Sequence, residues 1–298
     1  MNEKSSLATK ETFDLAVKNH KKNNFKVAEN LYKKVLKTNP NHFKSIHLLG
    51  SLLIQTKNFI MAIQLLNRAI LMQPKHAATY NNLGAAFKEL GEHEKSITYF
   101  QKAIEIQPNY AEAHNNFGMV FEELGELQKA VNCYQQAIQI NPNYVEAHNN
   151  LGMVFEEFGQ SLKAISCYKK AIQINPNYSD AYWNLHSFAS DIDEALTILK
   201  KLYEIDKKYI KAKIMISALE GFKGNFSDFD ALNTPPESNH PLTRSVRWVF
   251  TLPKLPKIFF NRWDFFDAVV ALTDKSRPFY EFGVWNGISF QYLINVFK

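Results

Sequence analysis

Residues 109–142 read NYAEAHNNFGMVFEELGELQKAVNCYQQAIQINP, and residues 143–176 read NYVEAHNNLGMVFEEFGQSLKAISCYKKAIQINP. Aligned without gaps, the two stretches differ at 10 of 34 positions. Pro40, Pro74, Pro108, Pro142 and Pro176 extend the same spacing in both directions. A fixed period of this length is the signature of a solenoid, in which each unit is one supersecondary element that buries its apolar face against its neighbours.

Each unit reads as two helices. Ala113, Phe117, Val120, Phe121 and Leu124 recur at helical spacing. Gly125 then supplies a helix stop, because glycine takes the left-handed conformation without a Cβ penalty. Leu127, Ala130, Val131, Tyr134, Ala137, Ile138 and Ile140 form a second apolar pattern, and Pro142 ends it. Small residues (Gly118, Ala130, Ala137) stand where helices must approach closely, and Phe121 and Tyr134 fill the space between them.

These residues resemble the tetratricopeptide repeat (TPR). The family pattern is met by His114, Phe117, Gly118, Phe121, Ala130, Tyr134, Ala137 and Pro142. It recurs as His148, Leu151, Gly152, Phe155, Ala164, Tyr168, Ala171 and Pro176, and as Tyr80, Leu83, Gly84, Phe87, Ser96, Phe100, Ala103 and Pro108. The resemblance implies an all-α, right-handed superhelix of helix-turn-helix repeats. A degenerate first unit is expected over 9–40, with Asn23-Asn24 in place of the turn glycine, and a second over 43–74. Three strong units follow at 77–108, 111–142 and 145–176. A sixth is short by three residues around SFASDID, and Tyr209–Gly221 reads as a capping helix. The expected organisation is therefore a frayed 1–8, a solenoid over 9–224, a proline-rich linker over 225–260 and a separate segment over 261–298.

Hydrophobic content of 46% with 21% charged residues is ordinary for a folded protein, and no apolar run approaches a bilayer span of about 18–20 residues. The N-terminus lacks the apolar core of a secretory signal, so a cytoplasmic setting is the expectation. The net charge of +6 is uneven: residues 1–74 carry +8 and residues 75–176 carry −3. The basic end suits an acidic partner or nucleic acid, but aromatics are not interleaved with its lysines as base stacking would need. Protein or peptide partners are expected, and nucleic acid is not. Cys133 and Cys167 lie one repeat apart and read as small helix residues copied by duplication; no metal site and no catalytic set is expected within residues 1–240.

Two candidate sites stand out. On helix A of successive units Asn82, Asn116, Asn150 and Asn184 recur, preceded by Asn81, Asn115 and Asn149 in the first three. Such a row offers donors and acceptors that can bracket a peptide backbone, and equally it can bridge adjacent helices. It resembles the asparagine ladder in the TPR region of O-GlcNAc transferases. Glu122-Glu123 and Glu156-Glu157 are expected to make one edge of that groove acidic. The second candidate lies near the C-terminus, where Phe279–Val284 is strand-like, Trp285-Asn286-Gly287 is a turn, and 288–297 is helix-like. Strand, glycine turn and helix form the opening of an α/β cofactor cradle.

The stretch EFGVWNGIS resembles the first motif of class I S-adenosylmethionine-dependent methyltransferases, most closely the macrocin O-methyltransferase type. The resemblance implies that Glu281, Gly283, Val284, Trp285, Asn286, Gly287 and Ser289 line the methionyl end of an S-adenosylmethionine pocket. Only 11 residues follow Gly287, so the expected element is a short, incomplete α/β (Rossmann-like) start, without catalytic residues of its own. Three functional readings remain open. The first is a TPR module that recruits a partner or substrate for a methyltransferase domain in a longer parent. The others are a pure scaffold and the TPR region of an O-GlcNAc-transferase-like glycosyltransferase.

Overall fold

The computed structural model describes residues 3–223 and 225, and all regular structure among them is helical. The helices come in antiparallel pairs. The first is α1 (Glu3–Lys21) with α2 (Phe25–Thr38), followed by α3 (Phe43–Gln55) with α4 (Phe59–Met72). Next are α5 (Ala77–Glu89) with α6 (His93–Ile106), and α7 (Ala111–Glu123) with α8 (Leu127–Ile140). Then come α9 (Val145–Glu157) and α10 (Ser161–Ile174), α11 (Ser179–His186) with α12 (Ile192–Ile205), and α13 (Ile210–Phe222). The chain divides into two compact units, one ending at Val154 and the other beginning at Phe155. Helix α1 opens at Glu3, inside the stretch 1–8 for which fraying is expected from sequence. The linker, the methyltransferase-like segment and its motif Glu281–Ser289 lie outside the described residues. No helix among the described residues is long and apolar enough to cross a membrane.

The pairing inside a repeat is governed by one close approach. A Cβ added at Gly118 would stand 2.7 Å from the Tyr134 ring, and one at Gly84 would stand 2.7 Å from the Phe100 ring. Both rings are fully buried, flanked by Ala130 and Ala137 in α8 and by Ala103 in α6. The Tyr134 hydroxyl donates to Glu122 Oε2 at 2.6 Å, and Tyr168 repeats the bond to Glu156 at 3.0 Å. A buried phenol thus finds the partner it needs at the far end of helix A. Burial and the Glu122 carboxylate together push the Tyr134 hydroxyl pKa far up, so it remains a donor.

The turn from helix A to helix B needs a left-handed residue. Gly91, Gly125 and Gly159 have φ of +73°, +72° and +70°. In each paired turn the next amide closes the helix end: Glu126 N–H reaches the Phe121 carbonyl at 2.8 Å, as in a Schellman cap. In the first two repeats Asn23 (φ 59°) and Lys57 (φ 60°) hold the same position. Asparagine tolerates this region, whereas lysine has no local compensation for its Cβ.

The second unit packs α11, α12 and α13 around Leu196, Leu199, Leu202, Ala212 and Leu219. Trp183 and Tyr209 pack against this core with ring centroids 5.7 Å apart. The shortened turn expected from the sequence has its own device. Asp191 caps α12 by accepting from Glu194 N–H at 2.8 Å, while Glu194 accepts from Ser190 N–H and Oγ at 2.7 Å each, a reciprocal capping box. Helix α13 ends at Phe222, within the stretch 221–224 expected to close it.

Two outcomes are expected. Lys57→Gly relieves the left-handed strain and stabilises the protein by about 0.5–1 kcal/mol; an unchanged urea midpoint would argue against strain at this turn. Gly118→Ala gains about 1 kcal/mol of helix propensity but forces apart two helices whose facing ring cannot swing away. The steric term wins, for a net loss of about 1–2 kcal/mol in equilibrium unfolding.

Candidate partner-binding face

Helix A of each repeat carries two stripes. In α7 the buried stripe is Ala113, Gly118, Val120 and Phe121, which face α8 and the neighbouring repeats. A second stripe, Glu112, Asn116, Met119 and Glu123, follows the i, i+4, i+7, i+11 spacing of one helix face and is exposed or half-buried. Its counterparts are Glu146, Asn150 and Met153 in α9, and Ala78, Asn82, Ala85 and Glu89 in α5. Because α5 packs on α7 as well as on its own partner α6, these stripes lie side by side.

The asparagines bond across the repeats. Asn116 Nδ2 donates to Asn81 Oδ1 at 3.1 Å, and Asn150 Nδ2 donates to Asn115 Oδ1 at 3.1 Å. Asn81 in turn donates to Glu112 Oε1 at 3.0 Å, so its carboxamide holds α7 through both of its atoms. Asn81, Asn115 and Asn149 are buried, at 1%, 3% and 3% exposure, which removes them from ligand contact. Of the sequence candidates, Asn115 therefore belongs to a repeat interface, and Asn149 is buried against Met153 of its own helix. Asn82, Asn116 and Asn150 are half-buried on the open stripe, and Asn184 is half-buried on α11 in the second unit. Two of the three buried asparagines also face a thioether: Asn115 Nδ2 lies 3.8 Å from Met119 Sδ, and Asn149 Nδ2 lies 3.6 Å from Met153 Sδ.

Three of the four carboxylates expected to make the edge acidic, Glu122, Glu123 and Glu156, have defined partners. Glu122 and Glu156 serve the buried tyrosines. Glu123 binds Lys88 Nζ at 3.2 Å, and Lys88 also reaches Glu89 at 2.8 Å. Because a neutral phenol does not cancel a carboxylate's charge, Glu122 and Glu156 still add to the negative sign, together with Glu112 and Glu146 at the start of helix A. The bulky histidines have a defined task. His114 and His148 each place Nε2 3.0 Å from the carbonyl of the proline six residues earlier, Pro108 and Pro142. Tyr80 and Tyr182 do the same toward Pro74 and Pro176. The ring thus satisfies a carbonyl that no helix can use. Cys133 and Cys167 are free and half-buried, and burial pushes both thiols up to about 11, so neither is a nucleophile at neutral pH.

In the second repeat the position equivalent to Asn81 is His47, and a different cluster forms there. Thr79 Oγ1 lies 3.1 Å from His47 Nδ1 and 2.8 Å from His76 Nδ1, with the two imidazoles 4.8 Å apart. Phe43 stacks on His47 at 6.1 Å with an interplanar angle of 6°. Burial, then the neighbouring His76, lowers the His47 pKa to about 4, and burial lowers that of His76, so both are neutral at pH 7. Sequence reading passed over this cluster, because histidine and threonine at these positions break the repeat rather than continue it.

Comparison with known proteins agrees with this architecture. The tetratricopeptide-repeat family model matches residues 41–109, 75–143 and 111–177. The crystal structure of MamA is 30% identical over 54% of this chain and 94% of that one, with a TM-score of 0.46. TTC0263, a thermophilic TPR protein in Thermus thermophilus, is 20% identical over 65% of this chain and 98% of its own, with a TM-score of 0.53. The APC/C hetero-tetramer Cut9-Hcn1 gives a TM-score of 0.62 at 16% identity, over 73% of this chain and 46% of that one. No curated protein matches the chain. The helix pairs, their 34-residue period and the family match agree: over residues 41–177 the chain belongs to the tetratricopeptide-repeat family.

Proposed function

We propose that the helix-A face of the third to fifth repeats is a docking surface for a protein partner, and that the repeats serve as an interaction scaffold. The observation that carries this is the recurring Glu, Asn, Met stripe, which is left open while the rest of helix A is packed. Half-buried carboxamides offer directional hydrogen bonds, and the flexible thioethers of Met119 and Met153 adapt to apolar side chains. Glu112 and Glu146 favour a partner segment that carries lysine or arginine over an acidic one.

The two asparagine roles separate in experiment. Met119→Ala with Met153→Ala is expected to weaken a partner isolated on the wild-type chain about tenfold, with little change in unfolding midpoint. Unaltered affinity would remove this face from recognition. Asn116→Ala with Asn150→Ala is expected to cost about 1–3 kcal/mol in urea unfolding, because buried Asn81 and Asn115 each lose a donor. Full retention of stability would show that these bonds contribute nothing.

The same reading gives the repeats a task in a longer protein: they hold a substrate or partner for an S-adenosylmethionine-dependent methyltransferase domain. Its support is the stretch EFGVWNGIS and the glycine turn that such a cofactor needs. Glu281, Gly283, Val284, Trp285, Asn286, Gly287 and Ser289 would flank the methionyl group. Calorimetry with S-adenosylmethionine, on the chain carried on through the coding sequence after Lys298, is expected to show saturable binding that Gly283→Val abolishes. Absence of binding would sink the cofactor assignment and leave the scaffold reading intact.

A further inference from the structure

The basic half of the chain contains a cleft that the helix-A face does not account for. It has a volume of about 570 Å³ and lies where the loops before α3 and α5 meet. His47 and His76 form its inner wall, Phe43 and Leu48 supply an apolar side, and Lys44 stands at the rim. A second hollow continues from His76 and Gln73 to Lys75. No aspartate or glutamate lines either one.

The polar groups here are biased toward donors. Thr79 has one hydroxyl proton to share between two imidazoles. When it donates to one Nδ1, that ring carries its own proton on Nε2 and can donate it to a ligand, while the other ring donates its Nδ1–H to the hydroxyl and keeps Nε2 as an acceptor. Asn41 Oδ1 is occupied by Arg68 Nη2 at 3.1 Å, which leaves its amide hydrogens. Lys44 and Lys75 are exposed and uncommitted to carboxylates, in contrast to Lys88, Lys102 and Lys129 of the later repeats. Helices α3 and α5 begin just after His42 and His76, both of which line the cleft, so their positive ends lie at it; of the two, only His42 accepts a first-turn amide with its side chain. The +8 charge of residues 1–74 adds a long-range attraction of the same sign.

We propose that this cleft binds an acidic peptide segment, with a carboxylate held between Lys44, Lys75 and the one imidazole of the His47–His76 pair that donates from Nε2, and an apolar side chain against Phe43 and Leu48. A peptide is favoured over single-stranded nucleic acid because Phe43, the one phenyl ring in the wall, already has a face covered by His47 and an edge contact with His76 at 4.9 Å. One partly covered ring is not the series of stacking platforms that successive bases need, although it can still meet an apolar side chain. The site is separate from the helix-A face of the later repeats, so either can fail without the other.

The test uses the full chain and a fluorescein-labelled peptide of alternating glutamate and leucine, read by fluorescence anisotropy. Lys44→Glu with Lys75→Glu is expected to weaken binding about tenfold or more, with the melting temperature unchanged because both side chains are exposed. Lys26→Glu with Lys34→Glu makes the same change of net charge on α2, outside the cleft, and is expected to weaken binding less than about threefold. The glutamine–leucine version of the peptide is expected not to bind. Equal losses in the two double variants would reduce the effect to net charge and overturn the site. So would absence of binding, or binding of the glutamine peptide with equal affinity. An oligothymidylate that binds more tightly than the peptide, and loses that binding in Lys44→Glu with Lys75→Glu, would assign the cleft to nucleic acid instead.

Discussion

The repeat depends on a ring lying flat against a residue that has no side chain. With Gly118 in helix A, Tyr134 reaches across the pair without a van der Waals collision, and the same holds for Gly84 with Phe100. That contact sets the separation of the two helices, and the alanines beside the ring keep it uniform. Because the ring fills the gap completely, the phenol of Tyr134 emerges at one defined place, and Glu122 is there to receive it. The side chains on the opposite stripe of helix A inherit their positions from this packing. The binding face is thus a by-product of a core contact several ångströms away.

Much of this was legible in the sequence, and the limits of legibility are instructive. Period, helix pairing and the left-handed turn at Gly125 follow from spacing and from glycine itself. The asparagine row was visible, but its direction was not. Asn115 and Asn116 are neighbours in sequence, yet their side chains leave the helix about 100° apart. One enters the interface and the other stays on the open stripe. Only the register between repeats decides which is which. The acidic edge gained partners that spacing alone does not reveal. A carboxylate at Glu122 reads as a solvated charge until the buried tyrosine twelve residues later is seen to end beside it.

The departures from the repeat were the least legible parts, and they hold the most chemistry. His47 in place of an asparagine, with His76 and Thr79 around it, replaces an amide bridge by an imidazole pair. Lys57 in place of a glycine keeps the turn at a cost in backbone conformation. Both changes fall in the second repeat, next to the excess of positive charge. The third to fifth repeats, nearly uniform in sequence, carry the opposite sign and a methionine-containing surface. The described chain therefore presents two chemically distinct faces on one repeated scaffold.

The bond from Asn116 to Asn81 has a consequence for how such an array changes length. The 111–142 unit carries both the donor for the unit before it and the acceptor for the unit after it. A unit copied in tandem brings both halves, so the new junction is satisfied on either side without any compensating substitution. Unequal crossing-over can then add or remove 34 residues and leave no buried carboxamide orphaned. The near identity of residues 109–142 and 143–176 is what such a copying event would leave behind.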